Sequence, residues 1–475
     1  MGVNRGRVRK RIELQTVDRS YLTDASGFSG WADRLIVPQT EAEVMEVLRE
    51  AVKTKTPITI SGAGSGLTGA RVPRGGWVLS LERFRKLEME HGFARVGAAV
   101  TLLELRDRSV RSGQFYAPDP TEITASIGGT IATNASGSRS FRFGSTRNHL
   151  RALRVALLDG SVRWYRRGEP VDFDIPLVPA PATTKNTAGY RLAPGMDWID
   201  LFCGSEGTLG VILEAEVNLT PIPAELFAGV IFFRNDDDAL DAVQEWRGLE
   251  QLRMMEYADQ RTLDLLRDRY PDIPSEAQAA LLIEAEGRDI VDGQDIEMWE
   301  GRLREHHALV DSSWFAVDAK DRERFRVFRH AMPELIVETM RQRGFMNMGT
   351  DYAVPLSRDR EILTYYRQRL EAELPARYAI FGHLGDAHLY VNMLLATEAE
   401  AATATRLLRE FATHAVRLGG TVSAEHGLGK RKAALLPLQF AERDIDAMRQ
   451  VKLRLDPEWL LGQGTLFGVG GLGTL

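Results

Sequence analysis

One cysteine, Cys203, stands in 475 residues. A lone thiol excludes any disulfide within the chain and any iron–sulfur cluster ligated by the chain's own cysteines. Long hydrophobic runs are missing as well. No stretch reaches the roughly 18 apolar residues that a membrane span requires, so no span is expected. A basic surplus is absent: the net charge is −6 and the pI about 6.0, which leaves nucleic acid without an electrostatic footing. The zinc-peptidase pattern H-E-x-x-H does not occur. Residues 1–11, MGVNRGRVRKR, are basic, but no apolar segment follows them as it would in a secretory leader. Gly6 stands where a myristoylation pattern needs Ser or Thr. A cytoplasmic location is the default expectation.

What is present is the composition of a globular protein, 44% hydrophobic and long enough for about three domain-sized units. The most informative stretch is 58–71, ITISGAGSGLTGAR. It places glycines at 62, 64, 66 and 69 after a short apolar run. Such a loop can bring several backbone N–H groups close to a phosphate. Gly64, Gly66 and Gly69 match G-x-G-x-x-G, but that fingerprint needs a helix opening at the loop. Here Val72-Pro73-Arg74-Gly75-Gly76 breaks helices, and 77–81 reads as a strand. Strand, glycine loop, strand is not a Rossmann unit.

Thr40 and Glu43 form a capping-box pattern, and Val44, Val47, Leu48 and Ala51 follow at helical spacing, so 40–54 is expected as a helix. Residues 93–100 read as a strand and 102–112 as an amphipathic helix. Residues 117–148 read as a long ordered loop rich in Gly, Ser, Thr and Asn, carrying Gly128-Gly129 and Asn134 to Gly137. A D-G turn at 159–160 joins two strands as a hairpin. A third small-residue stretch, 185–210, ends in GSEGTLG before the alternating strand 211–219. Three glycine-rich loops within 62–210 suggest one extended ligand lying across them. After Pro221-Ile222-Pro223 the texture changes to alternating strands (227–233, 251–257, 279–286) and helices (236–249, 260–267, 291–306), an open antiparallel sheet covered by helices. The glycine-rich last eight residues read as a tail.

The loop 62–69, Pro118-Asp119-Pro120 with Gly128-Gly129 and Asn134, and GSEGTLG at 204–210 together resemble the FAD-binding domain of the vanillyl-alcohol oxidase superfamily. Downstream, GHLGD at 382–386 and EHGLG at 425–429 are similar to its D-lactate dehydrogenase and glycolate oxidase (GlcD-like) branch. The resemblance spans roughly residues 34 to 467. It implies an α+β fold: an N-terminal segment at 1–33, a PCMH-type two-part FAD-binding domain at 34–222, an antiparallel-sheet substrate domain at 223–440, and a C-terminal segment, 441–475, that returns to the flavin. In such proteins the flavin pyrophosphate lies on the first glycine loop, and the isoalloxazine lies between the two domains. Carried onto matching positions, Gly62, Ala63, Gly64, Ser65, Gly66, Leu67 and Thr68 would hold the pyrophosphate. Pro118, Ser126, Gly128, Gly129, Ala132, Asn134, Gly137, Gly207, Gly210 and Ile212 would line the rest of the cofactor. Some relatives attach the flavin through a histidine in these loops. None occurs in 61–71 or 117–137, so noncovalent FAD is expected.

Oxidising a 2-hydroxy acid requires a cation for the carboxylate, a base for the hydroxyl proton, and the Cα hydrogen aimed at an acceptor. Among nine histidines, His306, His307 and His414 lie in charged helical patterns and are expected to be solvated, while His91 and His149 sit near turns. His383, His388 and His426 lie in glycine-punctuated loops or at a strand start. The resemblance places His383 and Glu425 at a divalent metal and His426 as the general base. Arg329, in a segment similar to the family's W-x-x-R, would grip the substrate carboxylate with its guanidinium fork.

The sequence departs from the family's G-H-x-G-D-G-N-x-H, reading GHLGDAHLY at 382–390. Strand alternation over 389–395 puts His388, Tyr390 and Asn392 on one face. Either His388 replaces the missing ligand, or Tyr390 coordinates or contacts substrate, or no metal binds. Zinc suits His383, His388 and Glu425, and manganese or no metal suits the Tyr390 arrangement. The family's N-P-G is Gly462-Gln463-Gly464 here. Gly349 stands where some relatives carry a lysine for a second carboxylate, which favours a monocarboxylate. The expected activity is therefore FAD-dependent oxidation of a D-2-hydroxy acid, D-lactate- or glycolate-like, to the 2-oxo acid. A partner protein or quinone would take the electrons, and a homodimer is left open. The rival readings are a flavin alcohol oxidase acting on a non-acid, and a non-catalytic FAD-binding subunit.

Overall fold

The computed structural model describes residues 17–287, 294–316 and 318–468. The basic stretch 1–11, the start of the helix expected at 291 and the tail residues 469–475 lie outside the described residues.

The first unit is built on two sheets. In one, Trp77–Ser80 lies between Arg34–Ile36 and Ile58–Ser61, all parallel. The two parallel strands Ile58–Ser61 and Trp77–Ser80 are joined by the glycine loop with no helix between them. The expected helix forms as Glu41–Thr54 and buries Val44, Leu48 and Ala51. Its capping box is only half made. Thr40 accepts from the Glu43 N–H at 3.3 Å, but the Glu43 carboxylate accepts from Gln39 N at 2.7 Å instead. The second sheet is antiparallel, in the order Leu87–Glu90, Phe93–Gly97, Val211–Asn218, Leu150–Ala156, Val162–Arg166. Leu48, Ile58, Leu79, Ala156, Val211, Leu213 and Leu461 share one apolar cluster, which joins both sheets to the C-terminal segment.

The stretch 117–148 is less loop-like than its composition suggests. It contains the short helices Ile127–Thr133 and Ser140–Phe143. Ile127 and Ile131, one turn apart, bury the inner face of the first, and Ser126 caps it. Small residues masked that turn, because glycine at 128 and 129 lowers helix propensity.

The second unit is an eight-stranded sheet running from Trp314–Phe315 through Glu225–Phe233, Ala279–Gly287, Leu252–Asp259 and Tyr378–His383 to His388–Met393. The last of these also pairs with Met348–Gly349 and Tyr352–Ala353. Every pairing is antiparallel. Tyr257 lies opposite Gly382, which sets Glu256 beside His383. After the helix Glu442–Leu455 the chain returns to the first unit. Ile58 N donates to Leu460 O at 2.8 Å, and Gly462 N donates to Ile58 O at 2.9 Å. The segment therefore abuts the strand that leads into the glycine loop.

Candidate active site

The glycine-rich stretches converge. A Cβ on Gly62 would stand 2.8 Å from Ser126 Oγ, and Ala63 N donates to that hydroxyl at 3.4 Å. Gly64 has φ +84°, a conformation that side-chain-bearing residues rarely adopt. Glu206 N donates to Ala132 O at 2.7 Å, and Gly207 lies against Ile60. A wall of backbone and small residues from three segments fits an elongated phosphate-bearing cofactor. Gly128 and Gly210 serve packing instead, because their missing side chains allow close approach to Ala98 and to Val155. Ile212 pairs with Val155 beside a bulge. Asn134 Oδ1 is used within its own loop by Ser145 Oγ and Arg147 N. Gly137 packs against Asp119 O, beside the buried Pro118.

The loop 423–431 docks directly on this wall. Lys430 N and Arg431 N both donate to Thr68 O at 2.9 Å, and Thr68 Oγ1 donates to His426 O at 3.3 Å. A Cβ on Gly429 would sit 2.2 Å from Thr68 O, so only glycine permits the approach. Glu206 completes the joint by accepting from Leu428 N at 2.9 Å and Gly429 N at 2.8 Å.

Burial raises the Glu206 carboxyl from 4.5 to about 7. The folded pKa is the higher one, so the unfolded chain releases its proton first. Stability then falls as pH rises from 4.5 to about 7, by about 3 kcal/mol. Thermal unfolding of FAD-loaded Glu206→Gln should lose that slope. A slope equal to that of the parent would assign it to another group.

On the sheet side, two carboxylates organise the charged groups. Glu256, fully buried, accepts from Arg329 Nε at 2.6 Å and pairs with His383 Nδ1. Burial pushes its pKa upward, but His383 and Arg329 outweigh that and hold it far below the carboxylate range. Glu425 receives Lys185 Nζ at 2.6 Å and Ser136 Oγ at 2.7 Å on Oε1, and Tyr390 OH at 2.6 Å on Oε2. His383 Nε2 lies 3.4 Å from Oε2. Burial opposes its charge too, and Lys185 and His383 keep it ionised. His383, His388 and Glu425 each present a ligand atom within 4.8 Å of the others.

Asp351 is the second hub. It accepts from His426 N at 3.1 Å, Ser423 Oγ at 2.9 Å and Lys432 Nζ at 3.0 Å. His426 Nδ1 lies 3.4 Å from its Oδ2. His388 Nε2 lies 3.2 Å from Oδ1 but off the hydrogen-bonding direction, so neither ring nitrogen has a hydrogen-bond partner among the described residues. Burial lowers the pKa of both His388 and His426, against the pull of Asp351, so both are neutral near pH 7. The Tyr390 ring stacks on His426, with centroids 5.8 Å apart, and lies 4.5 Å from His388. Asn392, buried on the same strand face, accepts from Asn347 at 3.3 Å, and its Nδ2 has no described partner.

The structure thus brings His383, His388, Glu425, His426, Tyr390 and Arg329 into one cluster. It corrects other expectations. His306 is bonded to Glu245 and packs on Trp246, and His414 stacks on Tyr365, so neither is simply solvated. Glu256, Asp351 and Lys185 hold this cluster together, and no motif singled them out as site residues. An acid inside the apolar strand LRMMEYAD was the available signal for Glu256. His330, half-buried beside Arg329, was likewise missed.

Residues 222–466 match the model of the family described as FAD linked oxidases, C-terminal domain, and residues 32–166 match the FAD binding domain. The chain is 30% identical over 441 residues to a D-lactate dehydrogenase of Archaeoglobus fulgidus, covering 90% of each. It is 28% identical over 456 residues to glycolate oxidase subunit GlcD of Bacillus subtilis, covering 93% of this chain and 90% of that one. A D-2-hydroxyglutarate dehydrogenase of Xanthomonas citri pv. viticola is 27% identical over 446 residues, covering 91% and 89%. Among solved structures, an alkyldihydroxyacetonephosphate synthase shares the fold, with a TM-score of 0.65 and 16% identity over 90% of this chain and 75% of that one.

Proposed function

This chain belongs to the FAD-linked oxidase family and is an FAD-dependent oxidoreductase acting on a CH–OH donor, and from that premise we propose that its substrate is a D-2-hydroxy acid with a single carboxylate. The observation that carries the proposal is one cluster holding both a buried guanidinium and a neutral imidazole beside the cofactor-binding loops. FAD, held noncovalently, would supply the hydride acceptor.

Arg329 would hold the carboxylate. Its Nε is engaged by Glu256, and no described residue hydrogen-bonds to its two Nη atoms, which leaves that edge of the fork to a ligand. His426 would take the hydroxyl proton. Asp351 lies on its Nδ1 side, so Nε2 is the acceptor atom. Of the three clustered histidines, His426 has the most exposed side chain, 28% against 3% and 0% for His383 and His388. Tyr390 and Asn392 face the substrate from the sheet. Gly349, close to Asn392, offers no second cation, in keeping with a monocarboxylate.

His383, His388 and Glu425 fit a divalent metal by donor type. Glu256 orients His383, as outer carboxylates do for ligating histidines, and neither nitrogen of His388 is hydrogen-bonded among the described residues. A metal there would polarise the substrate hydroxyl. Electrons would leave to a partner protein or quinone, in line with the relative named as a subunit.

The test is an anaerobic visible titration of the purified protein with D- and L-2-hydroxy acids. A D-monocarboxylate should bleach the flavin, and the L-isomer and dicarboxylates should do so much less. A spectrum that no acid changes would overturn the proposal.

A further inference from the structure

Glu425 accepts three hydrogen bonds from the chain's own donors. Oε1 is held by Lys185 and Ser136, and Oε2 by the Tyr390 hydroxyl. Lys185 cannot readily leave. It is 2% exposed and anchored by Gly137 O at 3.1 Å and Asp386 Oδ2 at 3.1 Å, and Thr184 Oγ1 fixes Asp386 at 2.8 Å. Its ammonium is a resident cation on Glu425 Oε1, and it would repel a metal bound to the same carboxylate. The other two donors differ. His383 is oriented toward Glu425, and neither ring nitrogen of His388 is hydrogen-bonded among the described residues, its Nε2 lying 3.2 Å from Asp351 Oδ1.

The ligand position guarded by a displaceable group is therefore Glu425 Oε2. Tyr390 is a neutral phenol that donates its O–H to that oxygen, so it occupies a lone pair that a metal would draw on. We propose that Tyr390 is a removable cap on the His383–His388–Glu425 set, and that with Lys185 beside it the chain takes a divalent cation weakly and exchangeably. The occupant class is a borderline cation such as Zn²⁺, which suits two imidazoles and a carboxylate.

This inference rests on the metal assignment of the proposed function, but its measurement needs no turnover. FAD-loaded parent, Tyr390→Phe and Lys185→Met proteins are titrated with Zn²⁺ and with Mn²⁺ against a chromophoric chelator, and metal per flavin is read after dialysis. The parent should lose its metal to the chelator. Tyr390→Phe should bind at least about tenfold more tightly, the weight of one hydrogen bond to a charged group that a metal no longer has to displace. Lys185→Met should shift in the same direction. If that variant fails to retain FAD, the Tyr390 result decides alone. Equal affinity in parent and Tyr390→Phe would overturn the cap, weaker binding in Tyr390→Phe would make the phenol a ligand, and no binding in either would remove the site. A protein that no hydroxy acid bleaches, but whose Tyr390→Phe variant binds metal more tightly, would leave the cap standing and remove only the substrate reading.

Discussion

Replacing His426 by alanine leaves a yellow, FAD-loaded protein whose bleaching by a D-2-hydroxy acid slows by about 10²–10⁴-fold, the usual contribution of a positioned general base. The geometry motivates the size and selectivity of this effect. The His426 side chain touches none of the cofactor-loop contacts: the joint to Thr68 is made by its main-chain carbonyl, which alanine retains. The ring is held instead by Asp351 on the Nδ1 side and by Tyr390 across its face. Burial keeps it neutral, so it can accept a proton at pH 7. Stopped-flow reduction under anaerobic conditions, with the flavin-to-protein ratio measured in parallel, separates loss of the base from loss of the cofactor. A His426→Ala protein that is reduced at the parent rate would sink the assignment, whatever its stability.

The fold was legible wherever the hydrophobic period was unbroken. The helix Glu41–Thr54, the D-G hairpin and the strands of the second sheet follow from period and turn chemistry. The helix Ile127–Thr133 was not, because two glycines hid a turn that tertiary packing on Ala98 stabilises. At the site, His383 and Glu425 were visible through their motifs. Their supporting ions were not: Lys185 lies 240 positions before Glu425, and Glu256 lies 127 before His383. Only the fold brings such pairs together, and no local spacing encodes them. Arg329 was recoverable in part. Phe325, Phe328, Met332 and Ile336 define the buried face of its helix, and residue 329 falls on that face. The Glu43 carboxylate shows a finer limit, since spacing defines its capping partner only to within one residue.

Arg329→Met should raise the KM for the hydroxy acid and lower kcat/KM by about 10²-fold or more, because truncating one member of a buried charge pair costs about 2–5 kcal/mol. The same substitution leaves Glu256 with His383 as its remaining partner, so a stability loss of up to about 3–5 kcal/mol is expected alongside. The two effects separate by measurement. Loss of the Glu256 ion pair appears as a lower unfolding temperature with any substrate or none. Loss of the carboxylate clamp appears only as weaker binding of acids, including the 2-oxo acid product titrated against the flavin spectrum. Arg329→Lys refines the comparison, since it restores a charge near Glu256 but not the planar fork. It should recover stability more than affinity. A protein with unchanged acid affinity after Arg329→Met would mean that the guanidinium serves Glu256 alone, and the substrate would then be an alcohol without a carboxylate.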